Sequence, residues 1–458
     1  MCRCGAGDGI RIASRHARRI FRAAARADFL LASAVMSQLP KATPVESLAF
    51  FRRVLLPPVA KGVIVRRPRA VRVAQKLDLD RRGVRYMQRL RDQYRGPLLV
   101  GGRYAVILAP DDARRVLDET PEPFATETPE KRAALTHFEP RNVLLSRGAE
   151  RAERRRFHEQ ALDSGHHEHR LAGSLIGRVR EETARLLAGA KSARELAWTQ
   201  FAETWSRIVR LVIFGEIARD DLRLSAMATR LRRHANWAFL HRKRKALRAE
   251  LLQHIDALLA RAEPGSLAAV VASIPQSADT APADQVAQWL FAFDPAGMTA
   301  FRALALLSTH GAYASRLGDR NFLRACVHDA VRLFPTTPLL LRETTAETSW
   351  EAGTLPAHKT VVIFTPFFHR DETRLPFADR FAPEIWLDGE AERWTLVPFS
   401  AGPAVCPGRE LVLFLGSELL ATLFANASFR ITSPQRLDPS RPLPGTLNHF
   451  RLRFAVES

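Results

Sequence analysis

The chain has 458 residues, with 69 lysines and arginines against 48 acidic residues and a formal net charge of +21. Its 46% hydrophobic content is enough for a substantial core and excludes a disordered chain. The four cysteines (Cys2, Cys4, Cys326 and Cys406) make no disulfide framework and point to a reducing, cytoplasmic setting.

Residues 10–35, rich in arginine, hold an uninterrupted apolar run of only "FLLASAV", far short of the ~20 residues a span requires, so no transmembrane segment is expected. The basic amphipathic pattern would also suit a membrane surface or a targeting segment; we read it as a solvated helix. "PLLVGGRYAVILAP" (97–110) predicts a hairpin turning on Gly101-Gly102. "APDDARRVLDE" opens a helix, and 118–147 read as a polar loop. From 148 to about 310 the pattern is helical, ending in the apolar helix "QVAQWLFAFDPAGMTAFRALALLSTH" (285–310). Within that helical region, "HRKRK" (241–245), near Trp237 and Phe239, is the sharpest basic run. Because the other arginines are scattered among acids, it reads as a solvated face and no nucleic-acid partner is expected. A helix over 321–334 ends at Pro335, residues 338–369 read as strand and turn, and "NHFRLRFAVE" closes with a strand. The expected class is mainly α (α+β), with small sheets at both ends of the sequence.

The stretch "PFSAGPAVCPGR" (398–409) places Cys406 in a Gly- and Pro-punctuated turn just before an apolar helix. Unpaired backbone N–H groups gather there, which favours thiolate over thiol. No histidine is placed by its spacing as the base a nucleophile needs, and no further ligands stand at zinc spacing around it. "HHEH" (166–169) reads as incidental. One thiolate below a porphyrin iron needs only this cysteine, its loop and an apolar pocket.

Phe399, Gly402, Cys406 and Gly408 resemble the heme-binding loop of cytochrome P450 enzymes, F-x-x-G-x-x-x-C-x-G. "HDAVRLFPTTPLLLR", "FFHRDETRLPFADRFAPEIW" and the 285–310 helix resemble further family segments in the right order, so the resemblance covers roughly 46–458, leaving 1–45 as an Arg-rich extension. It implies a helical fold around a buried heme b (iron protoporphyrin IX), with Cys406 as axial metal ligand and Phe399 packed near its sulfur. Arg342, Arg151 and Arg155 match arginines that meet the heme propionates, the last two four apart on one helix face. Asp329 and Arg332 stand where the family has Glu-x-x-Arg.

The sequence departs from the family in four places. Asp329 is one methylene short, Ile385 replaces the arginine after Pro-Glu, and Ala404 replaces a basic residue two places before the cysteine. On the distal helix the family's acid–threonine pair is broken. Counting from the helix end puts Asp294 at the acid and Pro295 at the alcohol; matching the local Ala-Gly puts Thr299 at the acid and Ala300 at the alcohol. The first register is preferred, because the helix end is the longer match and it keeps an acid. The resemblance then implies insertion of one oxygen atom into an apolar or amphipathic small-molecule substrate. A ferredoxin- or flavodoxin-type donor would supply electrons and Asp294 or Thr299 the proton relay. Two alternatives stay open: a peroxide-driven peroxygenase, whose relatives carry proline at the alcohol position but arginine at the acid, and a heme-binding protein without turnover.

Overall fold

The computed structural model describes residues 38–238, 240–433 and 437–457; residues 1–37 of the Arg-rich extension, and Phe239, lie outside them. Helices Ala172–Ala193, Trp198–Phe214, Pro282–Leu307, Arg320–Leu333 and Arg409–Asn426 share the larger hydrophobic core. The central one is Pro282–Leu307, the single described helix long and apolar enough to cross a membrane, and most of it is buried inside the protein. It begins three residues before the expected start because Pro282 occupies its first turn. It ends before His310 because Ser308, Thr309 and His310 turn their side chains onto the last carbonyls, with Ser308 Oγ donating to Leu304 O at 2.6 Å. Arg320–Leu333 starts under Asp319, whose carboxylate caps the amides of Asn321 and Phe322, and stops before Pro335.

The hairpin Leu98–Val100/Tyr104–Val106 turns on Gly101 and Gly102, both at positive φ (58° and 68°). Its second strand pairs in parallel with Thr360–Phe364, which pairs antiparallel with Leu339–Thr344, and that strand in turn with Phe124–Ala125. The hairpin and the strands expected over 338–369 therefore join in one five-stranded sheet, while the closing strand Arg453–Glu457 pairs with Glu195–Ala197 and Ser428–Ile431 in a separate three-stranded sheet. The 118–147 segment is more ordered than a polar loop. It holds strand Phe124–Ala125, helix Pro129–Leu135 capped by Thr128, and a turn of 3₁₀-helix at Val143–Leu145. These elements are too short to show a hydrophobic period. "HRKRK" is exposed throughout, as read from sequence, and His169 of "HHEH" is buried against Ala161 O. Among the described residues no cluster of three potential ligands could hold a metal ion.

Two buried histidines tie these elements together. His369 accepts the Val397 amide on Nε2 (2.9 Å) and places Nδ1 against Arg332 O (3.3 Å). His158 takes the Trp289 indole N–H on Nδ1 (2.8 Å) and meets Gln285 through Nε2 (3.2 Å). Burial pushes His369 down to about 3 and His158 down to about 4. Unfolded, each returns to about 6.5. As pH falls from about 6.5 towards 4, only the unfolded chain gains these protons, so stability is full above that window and drains within it. The urea midpoint should fall between pH 7 and pH 4.5, and His369→Gln should lessen that fall by about 2 kcal/mol. An unaltered pH slope in the variant would contradict the assignment.

Candidate heme-thiolate site

Cys406 lies between the 3₁₀ turn Gly402–Ala404 and the helix Arg409–Asn426. Its amide donates to Phe399 O at 2.8 Å, closing the turn, while the Phe399 ring packs at the edge of the core. Gly402 has φ 62°, and a Cβ there would stand 2.2 Å from Leu117 O, so only glycine lets the turn press this close to the helix Pro110–Asp118. The amides of Gly408 and Arg409 point at the Cys406 sulfur, and Arg155 and Arg409 add positive charge. Burial outweighs all of these and pushes the thiol up, which corrects the expectation that this turn alone favours thiolate. Bonding to a metal ion would remove the proton outright.

Beside the turn stands a group of buried cations. Arg155 Nη1 donates to Val405 O at 2.6 Å and its Nε to Glu159 at 2.6 Å, so Arg155 braces the cysteine turn from helix Gly148–Ala161. Arg151, one helical turn earlier, is buried with its Nε unpartnered. Arg342 donates to Thr120 Oγ1 (3.0 Å) and to Ser400 Oγ of the turn (3.1 Å); burial, then Arg151, hold it down to about 10. Sequence reasoning missed Lys131, which donates to Thr126 O (2.5 Å) and Leu341 O (3.0 Å). Burial, then Arg342, push it well below its ordinary value. Among the described residues no carboxylate forms an ion pair with Arg151, Arg342 or Lys131. Three desolvated cations side by side favour an anion.

On the central helix, Phe291, Asp294, Pro295 and Met298 form one incompletely buried stripe in an otherwise buried element. Asp294 leaves 51% of its side chain exposed. Its Oδ2 accepts from Arg232 Nη1 at 2.7 Å; burial pushes the carboxyl up and Arg232 pulls it back. Thr299 is buried, its hydroxyl donating to Pro295 O at 3.0 Å. Pro295 has no N–H, which leaves the Phe291 carbonyl without its usual helical donor. Nearby, Trp205 Nε1 donates to Phe293 O at 2.7 Å, and its ring lies so close that a Cβ on Gly297 would fall 2.5 Å from Cδ1. Arg232, Trp205 and Gly297 gave no sequence signal, because their partners are remote in the chain.

Asp329 and Arg332 form a fully buried pair, Nε to Oδ1 at 2.5 Å. Arg332 also donates to the carbonyls of His369, Ala378 and Arg380. Where Ile385 removed an expected arginine, the neighbouring Trp386 indole N–H reaches Asp329 Oδ1 at 3.1 Å.

Residues 312–449 match the family model described as Cytochrome P450. The chain is 34% identical over 133 residues to the cyclooctat-9-en-7-ol 5-monooxygenase of Streptomyces melanosporofaciens, covering 28% of this chain and 27% of that protein. It is 31% identical over 147 residues to ferruginol synthase 1 of Rosmarinus officinalis, covering 31% and 29%. The matched regions thus span between a quarter and a third of these relatives. Among solved structures, a 6-coordinated cytochrome P450 of Thermus thermophilus matches 82% of this chain and 98% of its own with TM-score 0.63 at 19% identity. The cyanobacterial CYP120A1 with retinoic acid bound matches 81% and 94% with TM-score 0.64 at 19% identity. Over residues 312–449 the chain is similar to the cytochrome P450 family, and the fold of the described chain is that of P450 structures.

The family implies heme, and the residues present fit it. Gly408 has an ordinary φ of −93°, and a Cβ there would meet only Leu162 at 3.7 Å, so the protein itself does not demand glycine beside the cysteine. The orphan Arg151 Nε and the anion-free cations suit two carboxylates at one edge of a flat ring. Arg342→Leu and Lys131→Met should each speed heme transfer to apomyoglobin about tenfold or more, the worth of one charge-assisted hydrogen bond. Unchanged transfer rates in both would exclude this cluster as the anion site.

Proposed function

We propose that residues 46–458 form a cytoplasmic heme b enzyme that inserts one oxygen atom into an apolar or amphipathic organic substrate, with residues 1–45 an extension of it. The supporting observation is the turn around Cys406, which aims two amides at one sulfur beside Arg151, Arg342 and Lys131, none of which forms an ion pair among the described residues. Cys406 would ligate the metal as thiolate and Phe399 would pack beside the sulfur. Arg151, Arg155, Arg342 and Lys131 would hold the carboxylate edge. Heme, when bound, supplies the oxygen-activating chemistry, with electrons from a ferredoxin- or flavodoxin-type donor suited to a basic protein. Asp294 would hold and pass the proton at its open carboxylate face, and Arg232 would position it. Thr299, with its hydroxyl spent on Pro295 O, is the weaker relay.

A peroxide-driven reaction is the second reading. It gains support from Arg232, whose guanidinium stands beside Asp294 next to Pro295, close to where peroxide-driven relatives carry arginine.

Reduced, CO-bound protein should absorb where thiolate-ligated heme does; Cys406→Ala should lose that band and Cys326→Ala keep it. Donor-driven oxidation should drop about 10²–10⁴-fold in Asp294→Asn. Arg232→Gln removes the cation that lowers the Asp294 pKa, so any limb of the pH–rate profile set by Asp294 should move to higher pH. Full activity of Asp294→Asn would remove it from the relay, and turnover with hydrogen peroxide alone would favour the second reading.

A further inference from the structure

A second cation-rich cavity lies apart from the cysteine, between the segment around Lys61 and Arg66, the C-terminal half of the central helix, the turn after Leu333 and the 445–449 segment. The centres of water-sized molecules can move through about 50 Å³ of it, which is room enough for one small oxyanion group. None of Cys406, Arg151, Arg155, Arg342 and Asp294 lines it.

Its charges do not balance. Arg302, buried in the apolar helix, donates only to carbonyls, Leu447 O at 3.0 Å and Phe334 O at 3.1 Å, and meets His449 Nδ1 at 3.4 Å. Arg66 donates to Gly62 O and Thr336 O. The nearest acid, Asp80, is engaged by Lys61 Nζ, at 2.5 Å from Oδ1 and 2.8 Å from Oδ2, and by Thr446 Oγ1. Across the cavity Arg370 and Arg81 share Asp379, and Glu372 takes Gln88. Arg66 and Arg302 thus have no carboxylate of their own, and Arg66 helps to depress the Arg302 pKa, which burial holds down to about 9.

His449 also lines the cavity. It is fully buried and faces Arg302 through Nδ1, which must accept there, so Nε2 carries the proton and has no acceptor. An unmet buried donor costs about 1–3 kcal/mol. A cavity with two guanidiniums in excess matches an oxyanion in donor type and charge.

We infer that this cavity binds the oxyanion group, carboxylate or phosphate, of a small ligand between Arg66, Arg302 and His449. The ligand would replace repulsion between the two arginines with attraction.

The test uses the heme-loaded protein at constant ionic strength. Calorimetric titrations with inorganic phosphate and with decanoate, against decanol as the uncharged control, are read together with the Soret band. Saturable one-to-one binding of either anion, weakened about tenfold or more by Arg66→Gln, is the expected result. Phosphate binding with a still Soret band would mark a separate anion site. Decanoate binding with a Soret shift larger than decanol gives would make the cavity the anchor of an acidic substrate. Should Arg66→Gln fail to fold, His449→Phe keeps a ring against Trp198 and Phe450, loses the Nδ1 that meets Arg302, and should also weaken binding. No binding of either anion, or affinity unchanged in the folded variant, would overturn the inference. The CO-bound spectrum, read in parallel, tests the cysteine site independently.

Discussion

The buried pair Asp329–Arg332 fixes where the cysteine turn can stand. Both side chains are 0% exposed, so each donor and acceptor must be met within the protein. Arg332 spends its N–H groups on Asp329 and on three carbonyls of the 369–380 segment; Asp329 takes the Ala382 amide and the Trp386 indole as well. One ion pair thereby pins an irregular stretch to the helix Arg320–Leu333. Removing either partner would strand a charge in the core, at about 3–5 kcal/mol. His369 carries the constraint on, because its ring spans from Arg332 O to the Val397 amide, directly before Phe399. The turn that holds Cys406 is thus anchored from outside the motif that names it.

The opposite wall works by a different balance. Arg342 and Lys131 are kept in place by neutral acceptors, Thr120, Ser400, Thr126 O and Leu341 O, rather than by acids. Carbonyls and hydroxyls solvate a guanidinium or ammonium but do not cancel its charge, so the cations still repel one another. Such an arrangement costs stability in the free chain and lowers the cost of accepting an anion. The lowered pKa values of Arg342 and Lys131 carry the same message from electrostatics.

Much of the fold was legible because its signals are local. The helix period of 282–307, the Gly101-Gly102 hairpin and the spacing from Phe399 to Gly408 are each written within a few turns of chain. What stayed hidden depends on residues far apart in sequence. Ala404 and Ile385 read as losses, since the motif positions are empty. The structure meets the second from the adjacent Trp386, whose indole reaches Asp329, and brings Lys131 from 210 residues before Leu341 to the cation cluster. Arg232 reaches Asp294 across 62 residues, and no periodicity encodes such a pairing. The inflated expectation for Cys406 has another cause. Sequence shows the helix start that lowers a thiol pKa but not the burial that raises it.

The distal helix shows why register matters more than residue type. Asp294 and Thr299 are five residues apart, which turns them about 140° from each other around the axis. They face different sides of the helix. Asp294 lies on the incompletely buried stripe with Phe291, Pro295 and Met298, whereas Thr299 closes onto its own backbone. Proline at 295 leaves no hydroxyl beside the acid, so a relay of acid and alcohol has no second member on this stripe. What the structure sets next to Asp294 instead is a guanidinium, held on the Ala228 and Leu290 carbonyls and therefore stationary. A fixed cation stabilises the carboxylate that remains after a proton leaves, and it resists the rise in pKa that burial imposes. Proton transfer in the proposed reaction would then be governed by the Asp294–Arg232 pair.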